Sequence, residues 1–528
     1  MKEWILTTDH KRIGVFYLIG SIAAFCVAGL MALLIRTELG AIGPTLTEDP
    51  NVYNVWLYFH GAAMILGFQI PALTGFLANW AVPIMLGAPD MAFPRVNALS
   101  VWLYWMGILL ALATFVIPDS PDVMWTGYPP YSVITEGNTA LYSLTVLIMG
   151  FSSIVGGINI MCTVIYCRAK GMQYNQFNIM VWTTMGANLL QLVFVPVLGS
   201  AVMLLLFDKY LGTNFFNPAS GGDVLIYENL FWFYSHPAVY VILLPFLGIA
   251  YEIIATFARN RIFNYNMVVY GGVCGTTLLS TDVWAHHAYA AGLPDYVRMF
   301  MTITTLLISV PVGLLMIGMV ATMWNGAIRF TTPMLFALSV IFLFLIGGLT
   351  GIPNAMASVD HAIHDGYFIM AHFHYVMAMA GTAAIFGSVY YYLPKMTGKM
   401  YNEAMGKAGF WLLFIGFNVT FYPLFEIGIE GMARRYYDYS QFPQFESAQH
   451  LATMGSYVIA VGFLITLVTW IHCWVAGEKC TDPNPWKSQS IEFTNTEVIP
   501  GPGNFPVQPV ISPDWSPYNY GGTTKQDD

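Results

Sequence analysis

Apolar runs long enough to cross a lipid bilayer recur along almost the whole chain, and no other feature limits its fold more. Bilayer hydrocarbon offers the backbone no water, so a spanning segment must satisfy its own polar groups, as a helix does over about 20 residues. Twelve such runs stand out, near 14–35, 54–83, 97–117, 141–167, 180–207, 230–257, 267–290, 299–325, 333–351, 367–393, 406–427 and 451–475. Of the 528 residues, 57% are hydrophobic and 9% charged, where a soluble domain carries about 25% charged. The expectation is an all-α membrane protein with about twelve transmembrane helices in one bundle, filling residues 1–478. Residues 479–528 are rich in Pro, Ser and Asn and lack an apolar period, so they are expected to form an irregular cytoplasmic tail on a surface or a partner subunit.

Orientation follows from the basic residues of alternate loops. One set holds Lys2, Lys11, Arg12, Arg95, Arg168, Lys170, Arg259, Arg261, Arg329, Lys395, Lys399, Lys407, Lys479, Lys487 and Lys525, fifteen of the twenty. The other holds Arg36, Lys209, Arg298, Arg434 and Arg435. With an even number of spans, both termini are expected in the cytoplasm, and the chain in a bacterial cytoplasmic (inner) membrane. The N-terminal MKEWILTTDHKRIGVF has no small-residue cleavage site after a short apolar core, so it does not read as a removable signal. The net charge of −9 says little about partners, because the charges sit in short loops and tails; the surroundings expected are membrane lipid, with no nucleic acid. The six cysteines form no CxxC pair and read as inert thiols, so nothing here offers a thiolate copper site for electron entry.

Six of the eleven histidines lie in or beside these runs: His60, His236, His286, His287, His372 and His374. Ionisable groups are costly in hydrocarbon and mark functional sites there. The assigned orientation places all six in one layer, the outer half of the membrane. Each helical residue turns about 100°, so His372 and His374 aim at two different sites from one helix. His236, His286 and His287 can form a three-imidazole site suited to copper or zinc. Haem iron takes one axial imidazole when open and two when closed. Six ligands then divide as two, one and three, a division that periodicity permits without proving.

Five motifs narrow the reading: GAPDMAFPRVN (87–97), WFYSHPAVY (232–240), VWAHH (283–287), HDGYFIMAHFHY (364–375) and ARRYYDY (433–439). In this order they resemble the haem-copper oxygen reductases, over about residues 8 to 475, and most of all the catalytic subunits of the A-type oxidases. The resemblance implies His60 and His374 on a low-spin haem, His372 on a high-spin haem, and His236, His286 and His287 on copper B. It also implies a covalent link from His236 to Tyr240, whose phenol supplies an electron and a proton. Arg36 resembles the arginine that bonds a haem formyl group, which implies haem A. Arg434, Arg435, Trp125 and Tyr367 resemble a haem-propionate region, and His364 and Asp365 resemble ligands of Mg2+.

Asp90, Asn79, Asn97, Ser152 and Ser153 resemble the entrance of the family's D-pathway for protons. Two positions depart from the pattern. Ala238 stands where a glutamate is usual, and Tyr234-Ser235 resembles the tyrosine–serine pair of a subgroup lacking that acid. The stretch VPVGLLMIGM (310–319) puts Leu314 and Leu315 at and beside the place of the K-pathway lysine. Protons then arrive by the Asp90 route alone, or through Tyr270, Thr276, Thr277 and Ser280. The function implied is reduction of O2 to water, coupled to proton translocation. Its partners would be a subunit II-like chain with the electron-entry centre, a subunit III, and cytochrome c as donor. The competing readings are nitric oxide reduction at the same site and, from a different class, a twelve-helix transporter.

Overall fold

A computed structural model of the chain describes residues 2–117 and 119–520. The last eight residues of the expected tail, 521–528, lie outside the described residues, and so does Lys525 of the charge bias. Among the described residues eleven helices are long and apolar enough to cross a membrane: α1 His10–Glu38, α2 Pro50–Met85, α3 Pro94–Ala113, α4 Thr139–Tyr166, α5 Ile179–Leu211, α6 Val224–Ala258, α7 Asp295–Met323, α8 Thr332–Ala355, α9 Tyr367–Thr397, α10 Glu403–Ile429 and α11 Pro443–Ala476. Their starts are built locally. Asp9, Asp49 and Asp223 each accept a backbone N–H of the first turn, at 2.9 Å in all three cases.

The seventh expected span, 267–290, is not an unbroken helix. It runs as a π-helix over Met267–Cys274, a short α-helix over Gly275–Leu279, and 3-10 turns over Ser280–Asp282 and Trp284–Ala288. Its hydroxyls bond back to the chain. Thr277, Ser280 and Thr281 donate to the carbonyls of Val273, Thr277 and Leu278, each at 2.8 Å, and such bonds compete with the helical ladder. The expected count of about twelve therefore becomes eleven helices and one broken segment.

One helix occupies the centre. The apolar window of α6 is 94% buried, against 33% for α1 and α7. Its residues are apolar all round, and such a helix belongs inside a bundle. Further π-turns lie in α2, at Ala63–Gln69 and Pro71–Leu77, and in α9, at His374–Met379. Such turns gather at functional sites, and the one in α9 starts on a candidate ligand.

The segment after α11 packs on this chain itself. Strand β1, Lys399–Met400, pairs antiparallel with β2, Glu478–Lys479. Beyond it Lys395 Nζ donates to the carbonyls of Pro483 and Glu497, at 2.8 and 2.6 Å. The Trp486 indole donates to Tyr391 O at 2.8 Å, and Asn504 donates to Ala88 O at 2.8 Å. The segment is irregular, apart from one turn at Ile491–Thr494, yet its polar groups are tied to the ends of α1, α2, α6 and α9.

Candidate functional site

The central helix places His236 and Tyr240 one turn apart, with ring centroids 5.0 Å apart. The 3-10 turn of the broken segment brings His286 and His287 against them. One ring nitrogen from each of the three histidines lies within 4.8 Å of the other two, and this is the one such group of three or more His, Cys, Asp or Glu among the described residues. His236 Nδ1 lies 3.0 Å from His287 Nε2. His286 Nδ1 lies 3.1 Å from the Thr305 hydroxyl, which leaves its Nε2 for a ligand role. His236 Nε2 is buried without a hydrogen-bond partner. Buried polar atoms are rarely left unpaired, so that nitrogen calls for a further bond; on the other side of the ring Nδ1 converges with His286 and His287, and three such imidazoles with free lone pairs fit a copper ion. The Trp232 indole covers His287, ring against ring.

His60 on α2 faces His374 on α9. Their rings are parallel to within 7°, with centroids 6.4 Å apart. That gap is too wide for stacking. Two imidazole–metal bonds of about 2 Å each, with the ring radii, fill it. His60 Nδ1–H donates to Ala28 O at 3.1 Å and His374 Nδ1–H to Met370 O at 2.8 Å, so both turn Nε2 into the gap. His372 points elsewhere, to α8. Its Nδ1–H donates to Gly347 O at 2.9 Å, which again leaves Nε2 free. Such second bonds fix the tautomer of a ligating histidine. Glycines make the room: a methyl on Gly351 would lie 3.1 Å from His372 Cε1.

The other expected residues fall around this layer. Arg36 is buried, with Nη2 donating to Gln449 O and Oε1, both at 2.8 Å, and to Thr453 at 3.1 Å; its Nε has no partner. Trp125 packs edge-on to Trp232 and touches Gly61, one residue from His60. Tyr367 is fully enclosed at the start of α9. Arg434 makes an ion pair with Asp365, and its Nε is also unpartnered. Burial pushes the Arg435 guanidinium down, as does Arg434 beside it, partly offset by Asp365. Burial alone would raise the Asp365 carboxyl, but Arg434, Arg435 and His364 hold it below the usual value. His364 Nδ1 bonds Asp360 Oδ2 at 3.0 Å, and that bond raises its pKa. His364 and Asp365 thus turn to different partners and do not complete a three-ligand set among the described residues.

The polar residues of the expected proton entrance line the α1–α2–α3–α4 contact. Asp90 is half-buried in the loop after α2. Asn79 and Asn97 are buried with amide atoms unpaired. Ser152 donates to Ser100 O at 2.7 Å, and Ser153 to Met149 O at 3.2 Å. A cavity of about 30 Å³ lies among Tyr17, Asn79, Ser152, Ser153, Asn188 and Gln191, enough for water. Tyr17, Ser100, Asn159, Asn188 and Gln191 were not anticipated. Tyr17 OH donates to Ser100 Oγ at 3.0 Å and lies 3.2 Å from Ser152 Oγ. A signal existed, since Ser152, Asn159 and Thr163 stand seven and four apart, one polar stripe on an apolar helix.

Tyr234, Ser235 and Ala238 are all buried on α6. Leu315 is fully buried, and its side chain fills the space over Gly272. Of the alternatives in the broken segment, Thr276, Thr277 and Ser280 are buried, but Tyr270 is 56% exposed and leaves the interior.

A multi-pass membrane protein that converges six histidines, His236 buried and the others half-buried, into one pair, one single and one triad is built to hold redox metals. Residues 12–464 match the family model for cytochrome c and quinol oxidase polypeptide I, and the chain belongs to that family. It is 40% identical to cytochrome c oxidase subunit 1 of Thermostichus vulcanus over 522 residues, covering 98% of this chain and 93% of that one. It is 38% identical to the same subunit of Cereibacter sphaeroides over 532 residues, covering 94% of each. A solved haem-copper terminal oxidase dimer shares the fold, with a TM-score of 0.76 at 18% identity over 89% of this chain and 84% of that one. The chain is therefore a catalytic subunit of a respiratory haem-copper oxidase, with haems and copper as cofactors and a second subunit as partner.

Proposed function

We propose that the six histidines divide as two, one and three: His60 and His374 on a low-spin haem, His372 on a high-spin haem, and His236, His286 and His287 on copper B. The observation that carries this is the free nitrogen of each ring. Nδ1 of His60, His374 and His372 is engaged by a backbone carbonyl, and the triad alone among the described residues converges within 4.8 Å. When bound, these groups supply the electrons and the site at which O2 is reduced to water.

The chain's own side chains hold and feed that site. Tyr240 stands beside His236, whose unpartnered Nε2 is the atom free to carry a covalent link to it; its phenol is the local source of a proton and an electron. Arg36 offers a free Nε–H to a haem formyl, which favours haem A. Arg434 and Arg435, with Trp125 and Tyr367, hold the propionates by charge-assisted hydrogen bonds. His364 and Asp365 supply at most two ligands to Mg2+, and the partner subunit completes the set. Protons enter at Asp90, pass the hydroxyls of Tyr17, Ser100 and Ser152, and reach the centre past Tyr234 and Ser235. That input supports proton translocation. The donor is cytochrome c, reached through a subunit II, and a subunit III completes the complex in a bacterial inner membrane.

The purified complex tests this. A pyridine haemochrome spectrum and metal analysis should return two haems per copper B, and the haem type follows from the same spectrum. Oxygen uptake with reduced cytochrome c should be rapid. Nitric oxide turnover without oxygen uptake would overturn the reading.

A further inference from the structure

A glutamine is costly in the middle of a membrane helix, and α2 carries one. Gln69 stands within this 36-residue span and is 3% exposed. Polar groups at such depth are rare and tend to be functional.

The amide of Gln69 is held in one orientation. Its Nε2 donates to the carbonyls of Met377 at 3.1 Å and Ala378 at 3.4 Å, both on α9. Turning the amide over would set Oε1 against those same carbonyls, and neither side could donate. Oε1 itself is buried without a partner. Gly381 of α9 lies beside the amide, where a methyl would come within 3.4 Å of Oε1.

Among the described residues, the bonds of Gln69 are the only hydrogen bonds that join α2 to α9. Elsewhere the two helices meet through rings. Phe68 lies against Phe386 and Trp80 against Tyr392, with centroids 6.5 and 4.7 Å apart. Apolar ring contacts are not directional and tolerate sliding, whereas two aimed hydrogen bonds fix a register. The histidines do not tie the helices to each other. His60 Nδ1–H is bonded to Ala28 on α1, and His374 Nδ1–H to Met370 on α9 itself.

A π-turn brings the amide to α9. Gln69 lies nine residues after His60. At about 100° per residue, an unbroken α-helix would put it roughly 180° round α2 from His60, turned away from α9. The π-turn over Ala63–Gln69 is wound wider, with less rotation per residue, and returns the side chain to the α9 side. The carbonyls that receive it lie in the π-turn His374–Met379, which begins on His374 itself. Each helix thus runs from a histidine of the pair through a π-turn to one end of the same hydrogen bonds.

We propose that Gln69 is a positioning residue of the low-spin haem. Its amide clamps α9 to α2 within one turn of His374, and so holds the gap and the parallel setting of the His60 and His374 rings. The inference rests on the proposed assignment of these two histidines to that haem. Spectrum and potential of a haem follow its axial ligands and the hydrogen bonds behind them. Loosening the clamp therefore alters the low-spin haem and spares the high-spin haem and copper.

The whole complex tests this without recourse to turnover. Gln69→Met keeps the length and removes the amide. Gln69→Glu, kept neutral by burial, can still donate one bond to α9. Electron paramagnetic resonance of the oxidised complex and a redox titration of the low-spin band are the readouts. In Q69M the low-spin signal should shift and broaden, its midpoint potential should move, and its band should be lost about tenfold faster on mild heating. The high-spin signal and the copper content should stay at wild-type level. Q69E should recover most of the wild-type signal. Ser388→Ala, which removes a buried bond internal to α9, should leave that signal unchanged. A wild-type signal and potential in Q69M, a Q69E as altered as Q69M, or an equal shift in S388A would overturn the clamp. A low-spin signal that survives His60→Ala would instead overturn the ligand assignment on which the clamp rests.

Discussion

The Trp232 indole lies flat on the His287 imidazole, with ring centroids 3.6 Å apart and planes 10° from parallel. The contact fixes the orientation of a ring whose Nε2 faces His236 Nδ1 at 3.0 Å. Trp232 is held in turn by its indole N–H on the Tyr128 hydroxyl. Supports of this kind are worth about 10–100-fold in metal affinity. Trp232→Ala should therefore lower the copper-to-haem ratio of the purified complex while both haem bands persist. Trp232→Phe, which keeps an aromatic face, should retain more copper than the alanine variant. Elemental analysis against the haem spectrum reads both.

Gly347 does a comparable service for His372. Its carbonyl accepts from His372 Nδ1–H, and a methyl on it would fall 2.7 Å from the backbone nitrogen of Val376. Backbone cannot swing aside as a long side chain can. Gly347→Ala should push α9 from α8 at a cost of about 1–3 kcal/mol. The high-spin haem should be lost or shifted first, because Gly347 O holds His372 directly. A fall in melting temperature with an intact low-spin spectrum is the expected pair of results.

The grouping of the histidines was readable from the chain because ionisable groups stand out in hydrocarbon and helical period sends neighbours to different sides. Local hydroxyl bonding was not. Nothing in the apolar pattern of 267–290 announced that the span would break into π and 3-10 turns, with Thr277, Ser280 and Thr281 bonded back to nearby carbonyls. The polar route was half legible. Asp90 sits in a recognisable motif, whereas Tyr17 reaches Ser100 and Ser152 across 83 and 135 residues, and only packing brings such distant residues together. The segment after α11 was expected on a surface, but not which one: Gln176, Lys395 and Glu252 of this chain collect its polar groups one by one.

Tyr234 lies one turn before Ala238 on α6 and is 5% exposed. Alanine carries no proton, so the proposed route assigns the carboxyl's place to the Tyr234 phenol and Ser235. Tyr234→Phe should slow oxygen turnover by about a hundredfold or more, with haem and copper content unchanged. Turnover and pumping near the wild-type level would remove Tyr234 from the route.

The docking of the segment after α11 should depend on pH in a direction opposite to that of an ordinary salt bridge. Burial lifts Glu492 from 4.5 to about 8. Between these values the docked segment binds a proton that the released segment does not. The released state thus binds fewer protons, and the stability of docking falls as pH rises through that window. Below it both states are protonated and docking is at its strongest. Amide protection of residues 483–500 in the whole complex, taken relative to the exchange rate of unstructured peptide at each pH, should fall from pH 5 to pH 8, from the low to the high end of that window. Glu492→Gln fixes the neutral form and should flatten the protection profile. Wild-type protection that rises with pH would mean that Glu492 is docked as a carboxylate, with Lys395 as its neutralising partner.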